Sequence, residues 1–463
     1  MDMIMEQETY REEVKSRIAR QRDFFNTGQT RNVDFRKEQL KKLRNAIKSR
    51  KAEILEALRQ DLEKSSQEGY LTEVSMVLSE IKLHMRYLSK WAVPEKVPGV
   101  LQLFPAKSYI IFEPLGVALI LSPWNYPFQL LINPLVGAIS AGNCTVLKPS
   151  PSSPATNKVI EKMIRETFPP EYICVIEGDG PQTQFILQEK FDFIFFTGSP
   201  SFGKEVMRAA AEHLTPVVLE LGGKSPCIVD AGCNVEIAAR RIAWGKFLNA
   251  GQTCIAPDYL LVHRSLEQSL TETLKKYIDI FYGETPALSP YYSRIITDAA
   301  FMRLKAYLDE GEILSGGETD ASVRFIAPTL MRNIKPGSPL MEEEIFGPVL
   351  PVLAYDKLEE AVDYINARPK PLALYYFGEP SVGKEVLKQT SSGGACINDV
   401  VMHIANHHLP FGGVGNSGMG KYHGEYSFRV FSNERAVVKS PAKLDMPFRY
   451  PPFKYFSILR RFI

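Results

Sequence analysis

Between residues 116 and 223 short apolar runs alternate with helical patterns, and that rhythm restricts the chain to few architectures. "GVALILSPWNYP" (116–127) reads as a strand entering a proline-punctuated loop, and "QLLINPLVGAISAGN" (129–143) as a helix. "CTVLKPS" (144–150) is a short strand, "ATNKVIEKMIRETF" (155–168) a helix and "YICVIEG" (172–178) a strand. "FDFIFFTGSPSFGKEVMRAAAEHL" (191–214) is a strand followed by a helix, and "TPVVLELGG" (215–223) a further strand. Strands and helices in alternation predict an α/β fold, a parallel sheet wrapped by helices. Such sheets bind ligands outside the carboxyl ends of their strands. The residues to search are therefore Ser122 to Asn125, Lys148 to Ser150, Thr197 to Ser199, and Gly222 with Gly223.

The flanks extend this reading. Residues 34–64 carry Leu40, Leu43, Ile47, Ile54, Leu58 and Leu62 at helical spacing, with Asp34 as the expected N-cap, and 71–91 repeat the pattern. Residues 95–116 read as extended chain or a hairpin. Beyond 223 the alternation resumes, with "SPCIVD", "YLLVHR" and "LPVLAYD" as strands, and 234–252 and 357–369 as helices. The last stretch, 440–463, is rich in proline, aromatics and Lys/Arg, a composition that suits packing on its own protein or a partner subunit, or contact with a membrane surface.

Size and charge exclude several classes. A chain of 463 residues exceeds one ordinary core and fits two large or three smaller units. Lys+Arg 55 against Asp+Glu 53 gives no basic excess for nucleic acid. No window holds 18 uninterrupted apolar residues, so no membrane span is expected, and "MDMIMEQETYREEVKSRIAR" has no apolar core of a secretory signal. The six cysteines include no CxxC pair, which leaves no zinc site of standard spacing and suits free thiols in a reducing cytoplasm.

Two glycine-rich loops compete as phosphate binders. "GVGNSG" (413–418) matches G-x-G-x-x-G, but no clear strand precedes it and no clear helix follows, so it reads as a flexible loop. "FFTGSPSFGKEVMRAAA" (195–211) has the right context: a strand ends, Gly198 and Ser199 turn, and Gly203 lies just inside a helix whose free N–H groups suit an anion. An ordinary strand–helix turn with a serine cap reads equally well. Lys148, after its strand, is a candidate for ribose or phosphate, or a plain surface lysine.

Three residues suggest covalent chemistry. Cys254, in "NAGQTCIAPDY", has no histidine within eight residues, and buried-cysteine base rates favour an inert thiol. Glu220 ends an apolar strand, where a carboxylate is costly to bury without a role or a partner. It can serve as a general base or sit in a salt bridge. Asn125, between Pro123 and Pro127, can donate to an oxyanion or shape a turn.

In combination these pieces resemble the aldehyde dehydrogenase superfamily. "SPWNYP", "LKPS", "FTGSPSFGK", "LELGGKSP", "NAGQTCIAPDY", "EEEIFGPVLPV" and "LPFGGVGNSGMG" follow in that order. "RPKPLALYYF" (368–377) and "YPPFKYFSILRRF" resemble the class 3 group in particular, associated with medium- and long-chain or aromatic aldehydes. The resemblance implies two Rossmann-type parallel-sheet domains and a small bridging β element. Residues 1–220 would bind nucleotide, interrupted near 95–115, residues 221–425 would be catalytic, and 426–463 would complete the bridging and oligomerisation piece of a homodimer. It implies Cys254 as nucleophile, Glu220 as general base and Asn125 as oxyanion donor. On the cofactor it implies Trp124, Lys148, Gly198, Ser199, Gly203, Leu221, Gly222, Glu344 and Phe346, for NAD or NADP. It implies no metal, although "VMHIANHH" (401–408) holds three histidines. One departure stands out: many members have "KPSE" where this chain has "KPSP", so Pro151 replaces an acid that would repel a 2′-phosphate, and NADP should be accepted. The implied reaction is oxidation of an aldehyde to the acid through a thiohemiacetal and a thioester. Capture of the thioester by coenzyme A, or a non-enzymatic scaffold role, are the alternatives.

Overall fold

The computed structural model describes residues 2–100, 103–445, 450–453, 456 and 460. Most of the basic aromatic tail, including much of "YPPFKYFSILRRF", lies outside the described residues.

Two parallel sheets dominate. The first runs in the order Gly418–Met419, Val217–Leu221, Phe193–Gly198, Val117–Leu121, Cys144–Lys148, Ile173–Val175, parallel throughout except for the antiparallel edge strand Gly418–Met419. The second runs Glu312–Ser315, Thr329–Arg332, Val349–Tyr355, Tyr259–His263, Pro226–Val229, Ala373–Phe377, Gly394–Ile397, again with one antiparallel edge. Val117–Leu121 and Cys144–Lys148 are buried at every position, as strands covered on both faces must be. The expected α/β fold is the observed one. A third sheet joins Glu95–Lys96, Lys107–Pro114 and Ser432–Lys439, so the stretch read as a hairpin is one.

The helices differ from expectation in several places, among them Gly180–Gln188, Glu267–Tyr282, Asp298–Ala306 and Pro380–Gln389, which the sequence reading left out. The stretch 34–64 is two helices, Val33–Ser49 and Lys51–Leu62, broken at Arg50, whose ψ of 13 leaves the helical region. Its N-cap is Asn32, whose side chain accepts from Asp34 N and Phe35 N, while Asp34 lies inside the helix. Either residue type caps; the side chain just ahead of the first turn is the one that reaches its N–H groups. An unforeseen helix, Asp2–Asn26, lies against the first sheet. Val14 and Ile18 bury an apolar stripe of this helix in the core, with Tyr10, Phe24 and Phe25 packed against it, while Gln21 donates to Thr145 O and Arg17 to Val175 O, both at 2.9 Å. The helix expected over 234–252 stops at Phe247. Asn249, Ala250 and Gly251 then adopt left-handed φ of 52, 51 and 74. Such φ costs a non-glycine residue on the order of 1 kcal/mol or more and persists where surrounding contacts enforce it.

Among the described residues no helix is long and apolar enough to cross a membrane.

Candidate active site

A cavity of about 760 Å³ is lined from both sheets. From the first come Trp124, Asn125, Lys148, Gly198, Ser199, Glu220, Leu221 and Gly222; from the second come Cys254, Glu344 and Phe346. All the residues read from sequence as a site meet there except Gly203. That glycine sits in the first turns of the helix Pro200–Ala211, where a Cβ would come 2.7 Å from Leu221 Cδ2. Its lack of a side chain lets the helix close on the strand that carries Glu220.

Cys254 keeps a partial opening to the cavity, while its thiol is otherwise enclosed. Burial, then the charges of Glu344 and Glu220, push its pKa up, and the backbone N–H groups of Cys254 and Ile255 pull it down. The resting sulfur therefore carries its proton. Its segment is fixed by neighbours: Tyr126 and Thr253 hydroxyls meet at 2.6 Å, and Tyr375 Oη donates to Ile255 O at 2.5 Å. Gly251 cannot bear a side chain, since a Cβ would fall 2.2 Å from Gly347 O.

Glu220 is buried, and neither carboxyl oxygen has a hydrogen-bond partner among the described residues. Burial raises its pKa well above the usual carboxylate range, and Lys421 opposes that shift. A carboxylate so placed is a far stronger base than one in water. It is not the salt bridge that the strand-end position also allowed. Its strand pairs with Gly418–Met419 from the loop that matched G-x-G-x-x-G, so that loop closes over the base and is no phosphate cradle.

Asn125 directs its amide by donating from Nδ2 to Gln252 O at 3.0 Å. An amide nitrogen has two hydrogens, so one remains for the cavity.

The nucleotide side fits a dinucleotide. Ser199 caps the twelve-residue helix Pro200–Ala211 by accepting from Phe202 N. The buried Thr197 Oγ1 has no hydrogen-bond partner among the described residues, and Gly198 leaves space against the Phe196 ring, which a Cβ would approach to 2.4 Å. Lys148 is buried, donates to Pro149 O at 2.9 Å, and has its pKa pulled to about 8, mainly by burial. Gly222 packs against the Glu344 carboxyl so closely that a Cβ would overlap it. Burial, then Asp258, raises Glu344 to about 8. Trp124 and Phe346, one from each sheet, meet edge-on with centroids 5.5 Å apart, and Phe346 holds a left-handed φ of 50.

A family profile described as "Aldehyde dehydrogenase family" matches residues 4–437. This chain belongs to the aldehyde dehydrogenase family. It is 49% identical to the 4,4'-diaponeurosporen-aldehyde dehydrogenase of Staphylococcus aureus, covering 93% of this chain and 95% of that one. It is 47% identical to "Aldehyde dehydrogenase, dimeric NADP-preferring" of Rattus norvegicus, covering 95% and 98%. The solved structure titled "Substrate bound state of Staphylococcus Aureus AldH" matches with TM-score 0.95 and 46% identity over 97% of this chain and 99% of that one. The enzyme oxidises an aldehyde to its carboxylic acid with NAD or NADP.

Sequence reasoning missed several residues that build this aldehyde dehydrogenase site. Lys64, Glu73, Asn249 and Gln252 are buried and hold the loops of Asn125 and Cys254. Their only sequence signal is two opposite charges, Lys64 and Glu73, nine residues apart at a helix junction. Among the described residues no group of three His, Cys, Asp or Glu is arranged to hold a metal.

Proposed function

We propose that Cys254 is the nucleophile, Glu220 the general base and Asn125 the oxyanion donor of this aldehyde oxidation. The observation that carries the reading is a buried carboxylate without a hydrogen-bond partner in the same cavity as a partly open thiol. Cys254 Sγ, once deprotonated, attacks the carbonyl carbon, and the oxygen gains negative charge. The free Nδ2 hydrogen of Asn125 and the Cys254 backbone N–H take that charge. When bound, the nicotinamide supplies the two-electron acceptor that turns the thiohemiacetal into a thioester. Glu220 then removes a proton from water, whose oxygen attacks the thioester carbon. The C–S bond breaks, the acid leaves, and the proton held by Glu220 returns to the sulfur. Mixing the Glu220→Gln enzyme with hexanal and NADP and mapping the protein by mass spectrometry should find a hexanoyl group on the Cys254 peptide. Acylation elsewhere, or none, overturns the assignment.

Lys148, Gly198, Ser199, Trp124, Leu221, Gly222, Glu344 and Phe346 would hold the cofactor, with Gly203 supporting them through packing. Pro151 lines the same cavity without charge, which supports use of NADP. Leu71, Met76, Trp244, Leu248, Met402 and Ile404 give the remaining wall an apolar face, which supports medium- or long-chain aldehydes. The domain reading is that residues 1–220 bind nucleotide apart from the bridging stretch near 95–115, 221–425 carry catalysis and 426–463 bridge. The outer edge of Ser432–Lys439, unpaired among the described residues, and a relative named as dimeric support a homodimer. Light scattering at twice the chain mass is the expected result. A cytoplasmic location suits six cysteines that are all free thiols.

A further inference from the structure

The loop that carries Asn125 rests on a buried ion pair contributed by a distant part of the chain. Lys64 and Glu73 are both fully buried, with Nζ 2.6 Å from Oε1. Lys64 donates a second hydrogen bond to the Asn125 carbonyl at 2.7 Å and lies 4.0 Å from the centre of the Tyr126 ring. Glu73 Oε2 accepts from Phe128 N at 2.9 Å and Gln129 N at 3.2 Å, at the start of the helix that follows the loop. Asn249 Nδ2 reaches the same Asn125 carbonyl at 2.9 Å, from the left-handed turn ahead of Cys254. Two donors on one carbonyl fix the peptide plane after Asn125, and so the direction in which its side chain leaves the backbone. Glu73 itself sits in a π-helical turn, Tyr70–Val74, an irregularity that recurs at functional sites.

Stability alone does not account for this arrangement. Burying two charges is costly, and well-packed apolar replacements of similar volume often leave a fold as stable or more so. What an apolar pair would not do is hold the Asn125 carbonyl. We infer that Lys64 and Glu73 form a positioning unit for the known reaction: they aim the Asn125 amide at the oxyanion, acting through the loop and never touching substrate. The inference rests on the reading of Asn125 as the oxyanion donor.

A double-mutant cycle tests it on the full-length enzyme, with hexanal as the aldehyde and saturating NADP. Read as kcat/KM, Lys64→Met should lower activity by about 10- to 100-fold when Asn125 is present, and by less than about twofold when it is introduced into Asn125→Ala. NADP affinity, read by quenching of tryptophan fluorescence, should stay within about twofold, because the unit touches the oxyanion side only. An equal loss in both backgrounds overturns the inference and leaves Asn125 in its role. An Asn125→Ala enzyme with undiminished kcat/KM overturns both. If Lys64→Met does not fold, Glu73→Gln, which keeps the shape and removes the charge, is read in the same cycle with the same criteria.

Discussion

The two sheets face the cavity with opposite ends. In the first, the lining residues follow the strands: Asn125 after Val117–Leu121, Lys148 at the end of Cys144–Lys148, Ser199 after Phe193–Gly198, and Gly222 after Val217–Leu221. In the second, most precede them: Cys254 ahead of Tyr259–His263, Glu344 and Phe346 ahead of Val349–Tyr355, and Leu372 ahead of Ala373–Phe377. Carboxyl strand ends offer helix N-termini and open turns, which suit phosphates. Segments entering a strand have no such helix behind them, and here they are held by side-chain hydrogen bonds and left-handed turns. On the proposed reading the first side supplies most of the cofactor contacts as well as Asn125 and Glu220, and the second supplies the sulfur of Cys254 with Glu344 and Phe346.

The sharpest way to break this division is at the sulfur. Cys254→Ala should lower aldehyde oxidation by more than about 1,000-fold while NADP still binds, as titration by fluorescence would check. Lost binding would mean that Cys254 itself helps to hold the nucleotide. Next comes the base. Glu220→Gln should lower steady-state turnover by about 100-fold or more while a rapid first turnover of cofactor reduction survives in stopped flow. Its buried carboxyl works as a base only above its raised pKa, so the wild-type rate should keep climbing with pH above the range in which an ordinary carboxylate titrates. The Glu220→Gln profile should lose that limb.

Smaller effects test the seam and the binding side. Gly222→Ala drives a methyl group into the Glu344 carboxyl and should raise the KM for NADP by about tenfold, with the fold intact by circular dichroism. Pro151→Glu should shift the kcat/KM ratio toward NAD over NADP by roughly tenfold, because a carboxylate repels a 2′-phosphate. The smallest effect is on stability. Lys246 is fully buried, its Nζ has no hydrogen-bond partner among the described residues, and burial pulls its pKa from 10.5 to about 8. Between those values the unfolded chain holds a proton that the folded chain has released, so this lysine makes stability rise with pH there. Lys246→Met should stabilise the enzyme at pH 7 by about 1–3 kcal/mol in denaturant titrations, and by less at pH 10.

The same asymmetry governs what the sequence revealed. A search after the strands reaches Asn125, Lys148, Ser199 and Gly222 from periodicity alone, because turn residues there follow a general rule. Cys254 and Glu344 lie before strands, where no such rule points: Cys254 read alone is a candidate nucleophile or an inert thiol, and Glu344 is singled out only by the resemblance of its motif. Lys64, Glu73 and Asn249 stayed hidden: beyond the ion pair of Lys64 with Glu73, the hydrogen-bond partners of their side chains are main-chain carbonyls and N–H groups, which leave no complementary residue in the sequence. Helix Asp2–Asn26 went unread although Val14 and Ile18 form a short apolar stripe, because charged and polar residues fill most of its other positions. Asn32 in place of Asp34 is a boundary shift between two residues of similar capping power.

The strand that carries Glu220 has its outer neighbour in Gly418–Met419, and the helix Glu425–Val430 packs on Gln129–Ala141. A ribosome must therefore release more than nine-tenths of the chain before the base acquires its cover. Until then the growing polypeptide presents an unpaired sheet edge, and it is at that stage of synthesis, more than in the finished enzyme, that chaperones have something to guard.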